Sequence, residues 1–245
     1  MEIYGYSERG AMNALFYGMA LNDDKDAMIE FLKLVGKDLN ADQYTDYKLY
    51  IECSLSDFGD PDLVIIAEKE GKGKDVFFVE AKVSHQGHFS INEQMRKHNE
   101  YCESIEENII AKKYDASNLF FQLKLKDLFY KTKGLVKQDN NSYNDKIRCK
   151  KFKTDQDYRV LGSNKIVKQF SSLITKCEDA YFIAIVPNSD EIKEGIKDFD
   201  VRIVTWESIL EKDELKKYLS ETVKFNQTDR KSQILNSPWD NNKSQ

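Results

Sequence analysis

The amino-acid sequence predicts an α/β sandwich, in which helices flank a mixed central β-sheet of about five strands and one segment is an insertion rich in basic residues. Helical patterns precede and follow the strand-like stretches, and those stretches are almost uniformly apolar, so both faces of the sheet must be covered. With 245 residues, 40% of them hydrophobic, the chain can bury a substantial core. We expect one domain over residues 1–225, with the insertion at about 111–160, and a polar tail over 226–245.

Two amphipathic helices are predicted near the start of the chain. In SERGAMNALFYGMAL, residues 7–21, apolar side chains recur at helical spacing behind Ser7, which can cap the helix. A second helix begins after Asp23 or Asp24 and ends at Gly36, a residue type common at helix ends.

Three strands are predicted next, because the chain becomes rich in Val, Ile, Phe and Tyr. They lie at about Tyr47 to Cys53, Asp62 to Ala67, and Asp75 to Val83. The sequence GKGK, residues 71–74, joins the second and third as a hairpin turn.

The second half of the chain returns to helices. Ser90 and Glu93 form a capping box ahead of a long amphipathic helix. The stretch NLFFQLKLKDLFYK, residues 118–131, fits both strand and helix periodicity, so its structure stays open. The remaining elements are a helix near 164–176, a strand at 180–186 ended by Pro187, a short helix, a strand from Val201 and a helix around 206–219.

Charged side chains stand at the ends of the second and third strands. Side chains alternate along a strand, so Glu80 and Lys82 point to the same side, and the hairpin brings Asp62 close to both. Two neighbouring carboxylates repel each other unless a cation neutralises them, and oxygen ligands favour a hard ion such as Mg²⁺. Such an ion activates water and stabilises charge on a phosphate, so the pattern indicates phosphodiester hydrolysis.

The sequence GDPDLV followed by FFVEAK resembles the signature of the PD-(D/E)xK nuclease superfamily, which has the restriction-endonuclease-like fold. The signature maps onto Pro61, Asp62, Glu80 and Lys82. The resemblance implies that Asp62 and Glu80 bind Mg²⁺, for which Mn²⁺ can substitute, with the Ala81 carbonyl as a further ligand. It also implies that Lys82 acts on the attacking water.

Two further site residues follow from the same resemblance. Glu8 in the first helix matches an acid that reaches the metal in many members, although it could simply complement the helix dipole. Gln94 matches a glutamine on the helix after the lysine strand, but the tyrosine often found four residues later is His98 here. Gln94 could therefore be an ordinary solvated helix residue.

The histidines suggest a competing metal site. His85 and His88 form an HxxH pattern, with His98 beyond it, and a zinc-dependent hydrolase built on them is one alternative. No nearby cysteine or acid completes a standard zinc ligand set. A contact of His85 or His88 with a substrate phosphate is a second possibility.

A basic segment contrasts with the overall net charge of -5. Residues 112–153 contain twelve Lys or Arg against four Asp, a balance of +8, so the rest of the chain carries -13. Lysines can bind phosphates and exposed aromatic rings can stack on bases, although these aromatic residues could equally belong to the core. The densest basic cluster, which we predict to bind nucleic acid, is Lys146, Arg148, Lys150, Lys151 and Lys153.

The resemblance implies a Mg²⁺-dependent endonuclease of restriction or defence type that acts on DNA, with RNA as another candidate substrate and a homodimer if both strands are cut together. The alternative is a catalytically silent nucleic-acid-binding or assembly module of the same fold. The four cysteines form no CxxC pair, and the chain has no long apolar run or signal-peptide pattern. We therefore expect a cytoplasmic protein without membrane association.

Overall fold

The structure, a computed structural model, describes residues 8–71, 73–83, 91–106, 118–133, 164–187, 196 and 200–219. At its centre is a five-stranded sheet in which the strands lie side by side in chain order. The strands are β1 (Tyr44–Ile51), β2 (Leu63–Lys69), β3 (Lys74–Ala81), β4 (Ala180–Val186) and β5 (Arg202–Thr205).

The sheet is mixed, as the sequence predicts. Strands β1, β2 and β3 form an antiparallel meander, whereas β3, β4 and β5 run parallel to one another. The β2–β3 turn contains Gly71 at a φ of +98°, a left-handed conformation that glycine adopts without strain. Parallel strands need a crossover connection, and the long chain segment between β3 and β4 provides it. The five predicted strands are confirmed, with bounds that differ by a few residues.

Helices cover both faces of the sheet. One face packs against α1 (Glu8–Met12), a π-helical turn (Asn13–Tyr17), α2 (Gly18–Leu21), α3 (Lys25–Val35), α7 (Trp206–Leu210) and a helix at 213–219. The other face packs against α4 (Ile91–Glu106), α5 (Leu119–Thr132) and α6 (Lys165–Ile174). Phe77 and Val79 of β3 point to the first layer, whereas Val76 and Phe78 point to the second. The alternation therefore directs Glu80 toward the layer that contains α5.

Several helix ends follow their predicted chemistry. Asp24 caps α3, because its side chain accepts a hydrogen bond from the Ala27 N–H at 3.1 Å. Gly36 ends that helix as predicted, with an extended backbone at a φ of 173°. Within the described part of the chain, no helix has the length and apolarity needed to cross a membrane.

The stretch whose structure the sequence left open is helix α5, and it belongs to the core. Asn118 caps it by accepting the Phe120 N–H at 2.9 Å, and the Asn118 side chain also donates to the Gln94 carbonyl at 2.8 Å. Phe120, Phe121 and other apolar residues of α5 are buried. The sequence of this stretch fits both strand and helix periodicity, and the burial of these rings selects the helix. The middle of the basic segment is therefore a packed helix and not a solvated insertion.

Candidate active site

The β2–β3 hairpin brings the two predicted acids together at one end of the sheet. Its register pairs Leu63 with Val79, so Asp62 and Glu80 are the next residues along the two strands. Asp62 Oδ2 accepts a hydrogen bond from the Ala81 N–H at 2.9 Å, which fixes this carboxylate against the end of β3. The predicted convergence of the two carboxylates is therefore present.

Glu80 is the most perturbed acid of this site. Its side chain is only 2% exposed, and burial is the largest of the effects that together raise its pKa to about 7. The Asp62 carboxylate also raises the pKa of Glu80, whereas Lys126 and Lys82 lower it. Positive charge close to Glu80 therefore favours its ionised form.

Among the described residues Lys126 forms an ion pair with Glu80, although its position in the sequence did not predict this. This α5 residue is 1% exposed, and its Nζ lies 2.9 Å from Glu80 Oε1. The two atoms are close, yet Oε1 has no hydrogen bond of regular geometry. The sequence contains one indication that Lys126 is buried. If residues 118–131 form a helix, Lys126 lies between Leu123 and Phe129 on its apolar side.

Lys82 follows β3 and is held through its backbone. Its N–H donates to the Ile185 carbonyl of β4, and its carbonyl accepts from Trp206 Nε1 of α7, both at 2.8 Å. The side chain is half-buried, and its charge lowers the pKa of Glu80. The structure therefore places the predicted lysine within electrostatic reach of Glu80.

Gln94 is buried at 4% exposure, so the interpretation of this residue as a solvated helix residue is wrong. Its Oε1 accepts a hydrogen bond from the Leu119 N–H at 2.9 Å, at the start of α5. The described contacts of Gln94 thus hold the helix that carries Lys126. A direct role for Gln94 in catalysis stays a prediction.

The first helix begins near the same end of the sheet. Arg9 Nε lies 2.5 Å from Glu52 Oε1, and the Glu52 N–H donates to the Asp62 carbonyl at 3.2 Å. These contacts connect the start of α1 to the residue that carries the Asp62 carboxylate. The side chain of Glu8 is outside the described residues, so its role as a metal ligand stays a prediction.

The chemistry of this site fits a divalent cation. It offers the carboxylates of Asp62 and Glu80 and a buried Glu80 oxygen without a regular hydrogen bond, and the Ala81 carbonyl stays a predicted further ligand. Mg²⁺ needs few protein ligands because it retains several waters. Among the residues that the structure describes, no three His, Cys, Asp or Glu side chains form a group that could hold a metal. Any further acidic ligand would have to come from outside them.

The histidine alternative gains no support from the described part of the chain. His98 is fully buried, and its ring lies 5.0 Å from that of Phe121, centroid to centroid. His85 and His88 lie outside the described residues.

The predicted nucleic-acid surface also lies outside them, namely Lys146, Arg148, Lys150, Lys151 and Lys153. Two described lysines of the basic segment, Lys124 and Lys131, form ion pairs with Asp127. Phe120, Phe121 and Phe129 are core residues, so they are not free to stack on bases.

No protein-family model matches the chain, and neither a curated protein nor a solved structure matches it.

Proposed function

We propose that this protein is a Mg²⁺-dependent nuclease of the PD-(D/E)xK type with a restriction-endonuclease-like fold, and that it hydrolyses phosphodiester bonds in DNA. The observation that carries the proposal is the buried Glu80 beside Asp62 and Lys82, at the end of the β2–β3 hairpin. The helix layers and the mixed sheet are compatible with that fold. A surface salt bridge would not need two acids that converge on a buried position.

The proposed roles follow from the geometry. Asp62, Glu80 and the Ala81 carbonyl would hold Mg²⁺, which when bound lowers the pKa of a water molecule and neutralises charge on the phosphate. Lys82 would orient the attacking water as an ammonium group or remove its proton as a neutral amine, and its backbone is fixed beside β4 and α7. Glu80 must be ionised to act as a ligand, so we expect the affinity of the free protein for Mg²⁺ to increase as the pH rises through the pKa of Glu80, about 7.

DNA is the proposed substrate and RNA the other candidate. The predicted cluster Lys146, Arg148, Lys150, Lys151 and Lys153 would bind the phosphate backbone. A single site cuts one strand, so a homodimer would explain concerted cleavage of duplex DNA. The expected location of the protein is the cytoplasm.

The test is cleavage of supercoiled plasmid, single-stranded DNA and single-stranded RNA in Mg²⁺, Mn²⁺ or EDTA. We expect metal-dependent cleavage that is abolished by Glu80→Gln and by Lys82→Ala. Lys131→Ala is the control, because it removes a lysine that is 60% exposed and paired with Asp127, away from Glu80. Equal cleavage by wild type and both site variants would refute the proposed site.

One observation favours a second candidate, a catalytically silent nucleic-acid-binding module. Lys126 already provides Glu80 with a buried cation, so the acid is partly neutralised without any metal. This candidate predicts binding of DNA by the wild type, unchanged by EDTA and without cleavage in any of the three metal conditions.

A further inference from the structure

We propose that Lys126 is a built-in counter-ion that competes with the divalent cation for Glu80, so that metal binding requires the Lys126–Glu80 pair to separate. This inference rests on the proposed metal-dependent function. It assigns a role to a residue outside the PD-(D/E)xK signature.

The ammonium group of Lys126 lies where a metal ligand would have to act. Lys126 Nζ lies 2.9 Å from Glu80 Oε1, an oxygen that a metal ligand would have to present. Both side chains are almost completely buried, so water screens the charges weakly. A cation placed at Glu80 and Asp62 would therefore be repelled strongly by Lys126 in its present position.

Contacts other than the Lys126–Glu80 pair also hold α5 on the sheet. The Asn118 side chain joins the start of α5 to the Gln94 carbonyl, and Gln94 Oε1 accepts the Leu119 N–H. Several buried apolar residues anchor the same helix, including Leu123 and Phe129. The ion pair is thus not the contact that holds α5 on the sheet, and a purely structural role explains it poorly.

Lys126 also lies against the loop that leads to Asp62. A Cβ atom at Gly59 would lie 3.0 Å from Lys126 Nζ, so the loop that leads to Asp62 packs directly against the ammonium group. Gly59 has a φ of +82°, which glycine adopts most easily. Lys126 therefore lies against Glu80 and against the loop that leads to Asp62.

The inference predicts the direction in which metal affinity changes when Lys126 is removed. If Lys126 only supported the fold, its removal would loosen the site and weaken metal binding. If Lys126 competes with the metal, its removal makes binding tighter. A charge within 4–6 Å changes proton affinity by about one to three pKa units, so we expect an increase in metal affinity of about tenfold or more.

The experiment is Mn²⁺ binding by titration calorimetry from pH 7 to pH 8.5, so that affinities are compared for the ionised form of Glu80, with folding of each variant checked by circular dichroism. The variants are Lys126→Met, Lys126→Arg, which retains the charge, and Asp62→Asn, which removes a proposed ligand. The matched control is Lys124→Met, which removes another α5 lysine, one that pairs with Asp127 instead of Glu80. We expect Lys126→Met to bind Mn²⁺ about tenfold tighter than wild type. Lys126→Arg and Lys124→Met should bind no tighter than wild type, and Asp62→Asn should bind weakly or not at all.

The possible results separate this inference from the proposed function. If wild type binds Mn²⁺ and Lys126→Met binds it equally well or more weakly, Lys126 does not compete with the metal. That result would leave the proposed metal-dependent function intact. Absence of binding by both proteins would overturn both. If Lys126→Met does not fold, Lys126→Gln replaces it, because its amide can still donate a hydrogen bond to Glu80 without a charge, and the same tightening is expected.

Discussion

The buried Lys126–Glu80 pair makes a quantitative prediction about stability. Lys126→Met removes the ammonium group and leaves the Glu80 carboxylate buried at 2% exposure. Removing one partner of a buried ion pair typically costs about 3–5 kcal/mol in unfolding free energy, because the remaining charge has no compensation. We expect a loss of that size at pH 8, where Glu80 is ionised.

The loss should depend on pH in a defined direction. The pKa of Glu80 is raised from 4.5 to about 7 in the folded protein, so its contribution to stability is fully present below pH 4.5 and is lost as the pH rises through 7. At pH 5 the group is protonated, and Lys126→Met then removes a buried charge that faces a neutral acid. The destabilisation should therefore be smaller at pH 5 than at pH 8, by about 1.4 kcal/mol for each unit by which the removal of Lys126 raises the pKa of Glu80.

Urea denaturation of wild type, Lys126→Met and the double variant Glu80→Gln/Lys126→Met at both pH values measures these differences. The double variant removes both charges, so we expect its stability at pH 8 to be within about 1 kcal/mol of wild type or higher. Equal destabilisation at pH 5 and pH 8, with no recovery in the double variant, would refute the assignment of a charged buried pair.

Three other variants test the described contacts by the same urea measurement. Tyr44→Phe removes a buried 2.6 Å hydrogen bond from the tyrosine hydroxyl to Asp75 Oδ2 and should cost about 1.5–3 kcal/mol; an unchanged midpoint would show that this bond contributes little. Gln94→Leu leaves the Leu119 N–H without its acceptor and should cost about 1–3 kcal/mol, with faster hydrogen exchange at the start of α5; unaltered exchange there would contradict the contact. Gly59→Ala forces a side chain into a left-handed conformation against Lys126, so we expect a loss of about 1–2 kcal/mol, whereas a stabilised variant would contradict the described loop.

Local sequence patterns were sufficient to predict the part of the site formed by the hairpin. Two apolar runs joined by a glycine-containing turn define the β2–β3 register, and that register alone brings Asp62 next to Glu80. The cap at Asp24 could be predicted for the same reason, since its hydrogen bond is made three residues away.

The part of the site formed by α5 could not be predicted in this way. Residues 118–131 satisfy two periodicities, and the burial of rings such as Phe120 against the sheet selects the helix. Lys126 meets Glu80 only after α5 packs on β3, so their contact is a product of tertiary structure. A lysine in a basic segment is ordinarily interpreted as a surface residue, and only its place on the apolar side of the helix distinguishes it.

The most direct test of the proposed nuclease is the single-turnover rate of Mg²⁺-dependent DNA cleavage by wild type and by Asp62→Asn. The asparagine can still accept the Ala81 N–H through its side-chain oxygen, so the hairpin should remain folded while the charge that binds the cation is lost. We expect cleavage by wild type that EDTA abolishes, and a rate at least about 100-fold lower for a folded Asp62→Asn. Cleavage at the wild-type rate by Asp62→Asn would contradict the assignment of this carboxylate pair as the catalytic centre.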